Sequence, residues 1–481
     1  MPVNSMALDW RFEPSVSAAA TVTDNGTQSQ NGDGALILSV TPGVVIRSEG
    51  SRRVQAQLDY GLSAIERFGD SSTNNSDDLT HRLNATGKAE LAEDLFFIEG
   101  NANISQALGS LLGAPGDSNL DTGNRTSVGV YNLSPYLTKR FGTFGNGMLR
   151  YSRSGAIFEN NVGGNIASDT IRADFNSGTQ FNDLLWGLNY SLRDATTQNG
   201  ADTQFESYGA TLGYALTRKF RLNGSFGYDK NDYPHLAGTK TEGDYWTAGF
   251  GWSPSRRTSV EASFGKRYYG DNYLFGFKHR SQYSQWNIQY SEDVSDIAEQ
   301  ILNFSGVIFW DCAGVLKQTV NSFDPPEPGC TLAGLGVSTG LANGVYILKS
   351  LSGGVTWGKG RLGASLDVHD SRRNYQQLAG DLEDHTRGIR GSVSYKLAPH
   401  STLTASLGFD NTQVPAGLPS GSITPGTDRD DDIYTASLGV NHQFQAKLNG
   451  SLIFRHQQRE SSVDIADFTE NSLTATVTMR F

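Results

Sequence analysis

A two-residue hydrophobic period constrains this chain more than any other feature, and it returns segment after segment up to the last residue. In the final segment Leu473, Ala475, Val477, Met479 and Phe481 share one face, and Thr474, Thr476, Thr478 and Arg480 share the other. Val260, Ala262 and Phe264 alternate with Ser259, Glu261 and Ser263. Trp246, Ala248, Phe250 and Trp252 alternate with Tyr245, Thr247, Gly249 and Gly251. The same split recurs at Trp286, Ile288 and Tyr290, and again at Leu403, Ala405, Leu407 and Phe409. Successive side chains of a strand point to opposite faces, so the pattern predicts strands that are apolar on one side only.

A β-sandwich alternates too, with its apolar faces turned inward. Connection length separates the two cases. Short links fall at Glu49-Gly50-Ser51, Glu93-Asp94, Asn182-Asp183, Arg218-Lys219, Pro254-Ser255, Pro399-His400 and Gln445-Ala446. Between them lie longer polar connections: Asp24–Gly34, Gly69–Asp78, Leu108–Asn124, Asp229–Gly243, Gln376–Asp384 and Asn411–Asp431. Strict short and long alternation puts tight turns at one end and loops at the other, which is the plan of an outer-membrane barrel. The expected fold is a single all-β, antiparallel, up-and-down transmembrane β-barrel of about 22 strands spanning residues 1–481. Short turns face the periplasm and long loops face outward.

Composition agrees. Hydrophobic residues, glycine not counted, make up 37% of the 481, and the mean hydropathy is −0.40. Aromatics at 10% argue against disorder. There is no apolar run of the ~20 residues a membrane helix needs, whereas strands dilute their apolar residues by alternation. The net charge of −11 leaves no basic face for nucleic acid. Met1–Leu8 lacks the basic head and apolar core of a signal peptide. The expectation is therefore a nearly mature chain with strand pattern from about residue 8 and no room for a separate N-terminal plug. The terminal aromatic, Phe481, resembles the C-terminal signal by which such barrels are recognised for insertion. Aromatics near strand ends (Trp10, Phe68, Phe141, Trp186, Phe220, Trp252, Trp357 and Phe444) suit interfacial belts.

With the apolar faces in lipid, the polar faces line the lumen. The expected pore-lining cations are Arg53, Lys88, Arg150, Arg172, Arg193, Arg221, Arg267, Lys278, Arg280, Arg361, Arg390, Lys447 and Arg455. The expected anions are Asp59, Glu90, Glu99, Asp174, Asp229, Glu261, Asp367 and Asp410. A dry core would not tolerate so many charges, but a hydrated lumen does. The longest connection, Asp293–Asn343, carries an apolar run at Ile301–Trp310 and both cysteines, Cys312 and Cys330. A disulfide within this loop suits an oxidising compartment; the other reading is two free thiols. The loop either folds over or into the pore, or stands outside it clamped against proteolysis.

Chemical motifs are sparse. His279, His369, His385, His442 and His456 are scattered, and nothing fixes a nucleophile beside them. No catalytic residue, metal site or cofactor is expected. The run Asp428–Asp432 reads either as a calcium-binding loop or as a solvated loop tip.

One resemblance extends over nearly the whole chain. It is carried by Trp252–Val260, Gly265–Gly270, Tyr290–Val294 and the upstream pattern Asp59-Tyr60, His81-Arg82-Leu83 and Ala89-Glu90-Leu91. These stretches resemble the outer-membrane β-barrel family associated with the PEP-CTERM/exosortase system. Genes of that family tend to sit in exopolysaccharide loci. The resemblance implies a passive, porin-like export channel for exopolysaccharide. Its expected partners are outer-membrane lipid and lipopolysaccharide, the barrel assembly machinery, the polysaccharide and other secretion components. Inward aromatics such as Tyr245 and Tyr269 would offer stacking faces. The alternatives are a general diffusion porin and a structural sheath around a protein partner, although the N-terminal CxxC of sheath barrels is absent.

Overall fold

The structure is a computed structural model that describes residues 9–51, 53–69, 79–110, 112–116, 124–159, 164–198, 200–302, 307–311, 316–320, 331–335, 344–377, 382–418 and 426–481. Each alternating segment forms a strand. The first eight are β1 (Asp9–Thr23), β2 (Ala35–Glu49), β3 (Val54–Phe68), β4 (Leu79–Ala92), β5 (Phe96–Leu108), β6 (Arg125–Phe141), β7 (Gly145–Phe158) and β8 (Ile166–Ser177). Then come β9 (Leu184–Thr197), β10 (Thr203–Thr217), β11 (Phe220–Asp232), β12 (Glu242–Ser255), β13 (Thr258–Arg267), β14 (Gly270–Arg280) and β15 (Ser284–Asp296). After β15 a short helix, α1 (Ile297–Leu302), leads to a separate three-stranded sheet of β16 (Val307–Asp311), β17 (Leu316–Val320) and β18 (Thr331–Leu335). The main sheet resumes with β19 (Val345–Lys359), β20 (Leu362–Tyr375), β21 (Glu383–Ala398), β22 (Ser401–Val414), β23 (Arg429–Gln445), β24 (Leu448–Ser461) and β25 (Phe468–Arg480).

The main sheet has 22 strands, each paired antiparallel with its chain neighbour, and β1 pairs with β25 to close it. Closure matters because an open edge in lipid would leave backbone donors and acceptors unpaired. The seam runs from Ser15↔Arg480 to Thr23↔Ser472. Hydroxyl pairs Ser17–Thr478 and Thr21–Thr474, both at 2.9 Å, reinforce it from the polar side. Phe481 N–H donates to the Pro14 carbonyl at 2.9 Å, so the terminal aromatic sits on the same seam.

Turns gather at the periplasmic end and loops at the other, but the alternation is not strict. The link Tyr268-Tyr269, between β13 and β14, is a two-residue connection at the loop end. Three further tight turns, at Gly142–Phe144, Ser281–Tyr283 and Gly360-Arg361, had no sequence expectation. Gly142 and Gly360 take φ of 60° and 65°, which favour glycine. The turn expected at Pro254-Ser255 lies at Arg256-Arg257 instead, because β12 continues through Ser255.

Cross-strand partners share a face, so the register assigns every strand residue to one side. Leu473, Val477 and Met479 are exposed, as are their neighbours on adjacent strands, Leu452, Phe454, Leu438 and Leu407. This exposed apolar face is the lipid band of a bacterial outer-membrane β-barrel. Trp10, Phe68, Phe141, Trp252, Trp357 and Phe444 are exposed on the outside near strand ends. Leu407, 70% exposed, sits midway along β22. Leu407→Arg is expected to lower stability by about 2–4 kcal/mol in lipid vesicles. Ser406→Arg, one residue away on the hydrated face, should cost much less. Urea unfolding followed by tryptophan fluorescence measures both, and equal costs would contradict this assignment of faces.

Candidate functional site: the inner wall and the bridged mouth

Most of the expected pore-lining residues fall on the inner face by register. They are Lys88, Glu90, Glu99, Arg150, Arg172, Asp174, Arg193, Arg221, Glu261, Arg267, Lys278, Arg280, Asp367, Arg390, Asp410 and Arg455. Asp59 and Asp229 share it. Arg53, Arg361 and Lys447 do not, because they lie in periplasmic turns, where strand parity no longer decides direction. Arg53 instead pairs with Glu93 at 2.9 Å on the exposed rim. Glu90 faces inward but accepts the Asp94 backbone N–H at 2.7 Å, stapling its turn.

Several inner charges neutralise one another. Glu99 accepts from Tyr136 at 2.7 Å, Arg150 at 3.0 Å and Lys88 at 3.1 Å. The Arg150 guanidinium lies 4.0 Å from the Tyr136 ring centroid, a cation–π contact. Tyr245 is buried beneath Arg267, whose guanidinium is 5.2 Å from its ring, so it offers no free stacking face. Tyr269 sits in the β13–β14 link, where Asn272 donates to its hydroxyl at 2.8 Å.

Near the mouth the wall carries further charges. Arg373 on β20 faces Asp384 on β21, with Nε at 2.9 and 3.0 Å and Nη2 at 2.7 Å from the carboxylate. Tyr375 donates to the same carboxylate at 2.8 Å. Glu470, fully buried beside the seam, accepts from Thr23 at 3.1 Å and from Arg455 at 3.2 Å. Asp431 takes Arg429 at 2.8 Å. The signal for these residues existed: Arg373 is in phase with Asp367, and Glu470 is in phase with Thr474. Hydrophobic alternation fades at these positions, where the strands leave the membrane.

The loops do not stand clear of the barrel. α1 buries Ile297, Ala298 and Ile301 against Val128, Val130, Ala156, Phe158, Ile166 and Ala195. Those six belong to the inner faces of β6 to β9, while α1 itself follows β15. The helix therefore lies within the lumen and reaches strands well round the ring. Burying the two isoleucines contributes roughly 3–6 kcal/mol before ordering costs. Asp296 fixes the helix start. Its carboxylate accepts the Glu299 N–H at 2.8 Å, Arg193 on β9 at 2.8 Å and Thr203 on β10 at 2.8 Å.

Other loops converge on the same level. Leu112, from the β5–β6 loop, packs with Tyr346, Tyr375, Val414 and Leu418. Arg459 on β24 donates to the Gly113 carbonyl at 2.9 Å. Leu236, in the β11–β12 loop, donates to the Gln376 carbonyl at 3.3 Å. These contacts join distant walls across the mouth. Cys312 and Cys330 lie outside the described residues, so the disulfide expected between them is not part of this picture.

Burial pushes the Glu299 carboxyl up to about 7; the carboxylates of Asp293 and Asp296 add to this, while Arg193 opposes it. Its ordinary value is 4.5. A released helix would hold its proton less tightly than a seated one, so seating is favoured at low pH and weakens as pH rises from about 4.5 through 7. Protection factors at residues 297–302, corrected for the intrinsic pH dependence of amide exchange, should be higher at pH 5 than at pH 8, and Glu299→Gln should flatten the difference. An unchanged pH response in that variant would refute the assignment.

Among the described residues, no three His, Cys, Asp or Glu side chains are grouped to hold a metal ion. The acidic run Asp428–Asp432 is divided among separate partners. Asp428 accepts the Ala416 N–H, Asp430 and Asp432 accept from Asn411, and Asp431 takes Arg429. Alternation along β23 turns Asp431 inward and its neighbours outward, so the run forms no shared calcium cradle.

No protein-family model matches the chain, and no curated protein matches it. Solved structures do. The apoprotein form of the FrpB iron transporter from Neisseria meningitidis matches with a TM-score of 0.53 at 12% identity, covering 98% of this chain and 81% of that one. A point variant of the ferric enterobactin receptor PfeA from Pseudomonas aeruginosa gives 0.52 at 10% identity, covering 98% and 80%. The siderophore receptor PirA from Acinetobacter baumannii gives 0.50 at 7% identity, covering 99% and 81%. At these identities the likeness is one of fold.

These matches correct the transport reading. The barrel architecture is shared with an iron transporter and with siderophore and ferric enterobactin receptors, and here the mouth is crossed by the chain's own loops. An open conduit for exporting exopolysaccharide, a general diffusion porin and a sheath around a partner are all set aside on that ground. Exopolysaccharide secretion components leave the partner set with them, while lipid and lipopolysaccharide remain the surroundings of the barrel. None of the matches addresses the resemblance to the exosortase-associated family.

Proposed function

We propose that this chain forms the barrel of an outer-membrane uptake receptor, taking in an iron chelate from outside and performing no catalysis. The observation that carries this reading is the 22-stranded receptor-type barrel combined with a mouth bridged by α1 and the loop contacts at Leu112 and Leu236. The iron and siderophore ligands named for FrpB, PfeA and PirA supply the ligand class. A lumen crossed by its own loops admits solute only after those contacts rearrange. Binding energy from an external ligand is the natural source of that rearrangement.

The test is uptake of radiolabelled iron from a panel of ferric chelates in a strain whose own receptors are deleted. Expression of the full chain should restore uptake of at least one chelate. Liposome swelling with graded sugars supplies the counter-test. Swelling as fast as with an open porin, together with no chelate uptake, would overturn the proposal.

A further inference from the structure

Several hydroxyl groups on the inner wall pair across strands. Ser365 meets Ser392 at 2.7 Å, Ser406 meets Ser437 at 2.7 Å, Thr41 meets Ser63 at 2.7 Å, and Ser225 meets Thr247 at 2.5 Å. Ser350 on β19 and Ser371 on β20 stand directly opposite each other on this face. They form no such bond, and neither has a partner among the described residues. One step down, Ser352 stands opposite His369. The His369 Nε2 is buried without a hydrogen bond, 3.6 Å from the nearest Asp410 oxygen. Ser350, Ser352, Ser371 and the His369 Nε2 thus stand at adjacent positions without a hydrogen bond among the described residues, and Thr386, opposite Ser371, is buried without one as well.

They surround a cavity of about 230 Å³, roofed by Tyr346 and by Gln300 of α1. Among the described residues that line the cavity, no strong charge is uncommitted. Arg373 at its upper edge is held by Asp384, and Asp370 is held on the outer face by His385 at 2.7 Å. An anion or a bare cation would find no counter-charge to repay its desolvation. Hydroxyls both donate and accept, and an imidazole does one at each nitrogen, so the lining suits a neutral partner with several hydroxyls. At this size, below the roughly 300–1,000 Å³ of pockets for drug-sized ligands, it takes one ring-sized group.

We propose that Ser350, Ser352, Ser371 and His369 bind a neutral, sugar-sized polyhydroxyl group beneath the seated α1 helix. Tyr346 donates to Gln300 at 3.1 Å, so the roof is complete only while α1 is in place. Occupancy of the cavity and seating of the helix therefore favour each other. The purpose assigned to the site rests on the uptake reading, but its ligand chemistry does not.

The experiment uses the full chain in detergent micelles. Saturation-transfer NMR and calorimetry are run with glucose, galactose and N-acetylglucosamine, with gluconate and inorganic phosphate as anionic probes. At least one neutral sugar should bind, and the double variant Ser350→Ala/Ser371→Ala should weaken it roughly tenfold. Ser365→Ala/Ser392→Ala, which removes a bonded pair outside the cavity, should leave affinity unchanged and controls for folding. Bound sugar should also slow hydrogen exchange in α1. Preference for gluconate or phosphate, absence of binding by every neutral sugar, or equal loss in both double variants would each overturn the proposal. Because binding is read on the purified barrel, it can succeed where chelate uptake fails, and the reverse.

Discussion

Replacing Arg373 by methionine is expected to destabilise the barrel by about 3–5 kcal/mol, since breaking one partner of a buried pair leaves the other charge uncompensated. The guanidinium is 2% exposed and its Asp384 partner 5%, so water screens neither. The carboxylate would keep only the Tyr375 hydroxyl, with Tyr346 losing the cation 5.6 Å from its ring. Denaturant unfolding in micelles, or the loss of heat-modifiable mobility on gels, reads the effect. The double variant Arg373→Met/Asp384→Leu should regain most of it, because an apolar pair of similar volume needs no counter-charge. If the single variant unfolds like the parent, the pair does not hold the mouth of β20 and β21 together.

The second large effect concerns the pore. Ile301→Asp places a carboxylate among Val128, Ala156, Phe158 and Ile166, where nothing compensates it. The helix should leave its seat rather than bury that charge. Single-channel conductance in planar bilayers is expected to rise several-fold over the parent, whose mouth is crossed by the loop contacts. Deleting residues 300–335 should act in the same direction. Barrel stability should change little, since α1 contributes no strand to the closed sheet. Unchanged conductance in both variants would show that α1 does not obstruct passage. A rise only in the deletion would move the obstruction to the segment beyond the helix.

The two substitutions mark where sequence legibility stops. Val260, Phe264, Leu473 and Val477 announce their face because lipid demands it, so alternation through the membrane reads directly as wall and lumen. By register Lys88, Arg150 and Glu261 lie on the inner face with their cross-strand partners. Arg53, Arg361 and Lys447 lie in turns, where no neighbour on a second strand sets a side chain's direction. The charges of the mouth were harder still. Arg373 and Asp384 lie eleven residues apart across a loop and meet only through the β20–β21 register.

The period of two by itself determined a strand-rich chain of about 22 segments, polar on one side and apolar on the other, because each residue reports its own solvent. What the lumen contains was decided only by tertiary structure. Ile297 and Ile301 carry no mark in the sequence saying that they will rest on Val128 and Ala156, strands away round the ring. Nor does Ser350 announce that it will face Ser371 unbonded above His369. Those relations depend on which walls curvature brings together across a closed sheet, and that distance is a property of the closed ring rather than of any one strand.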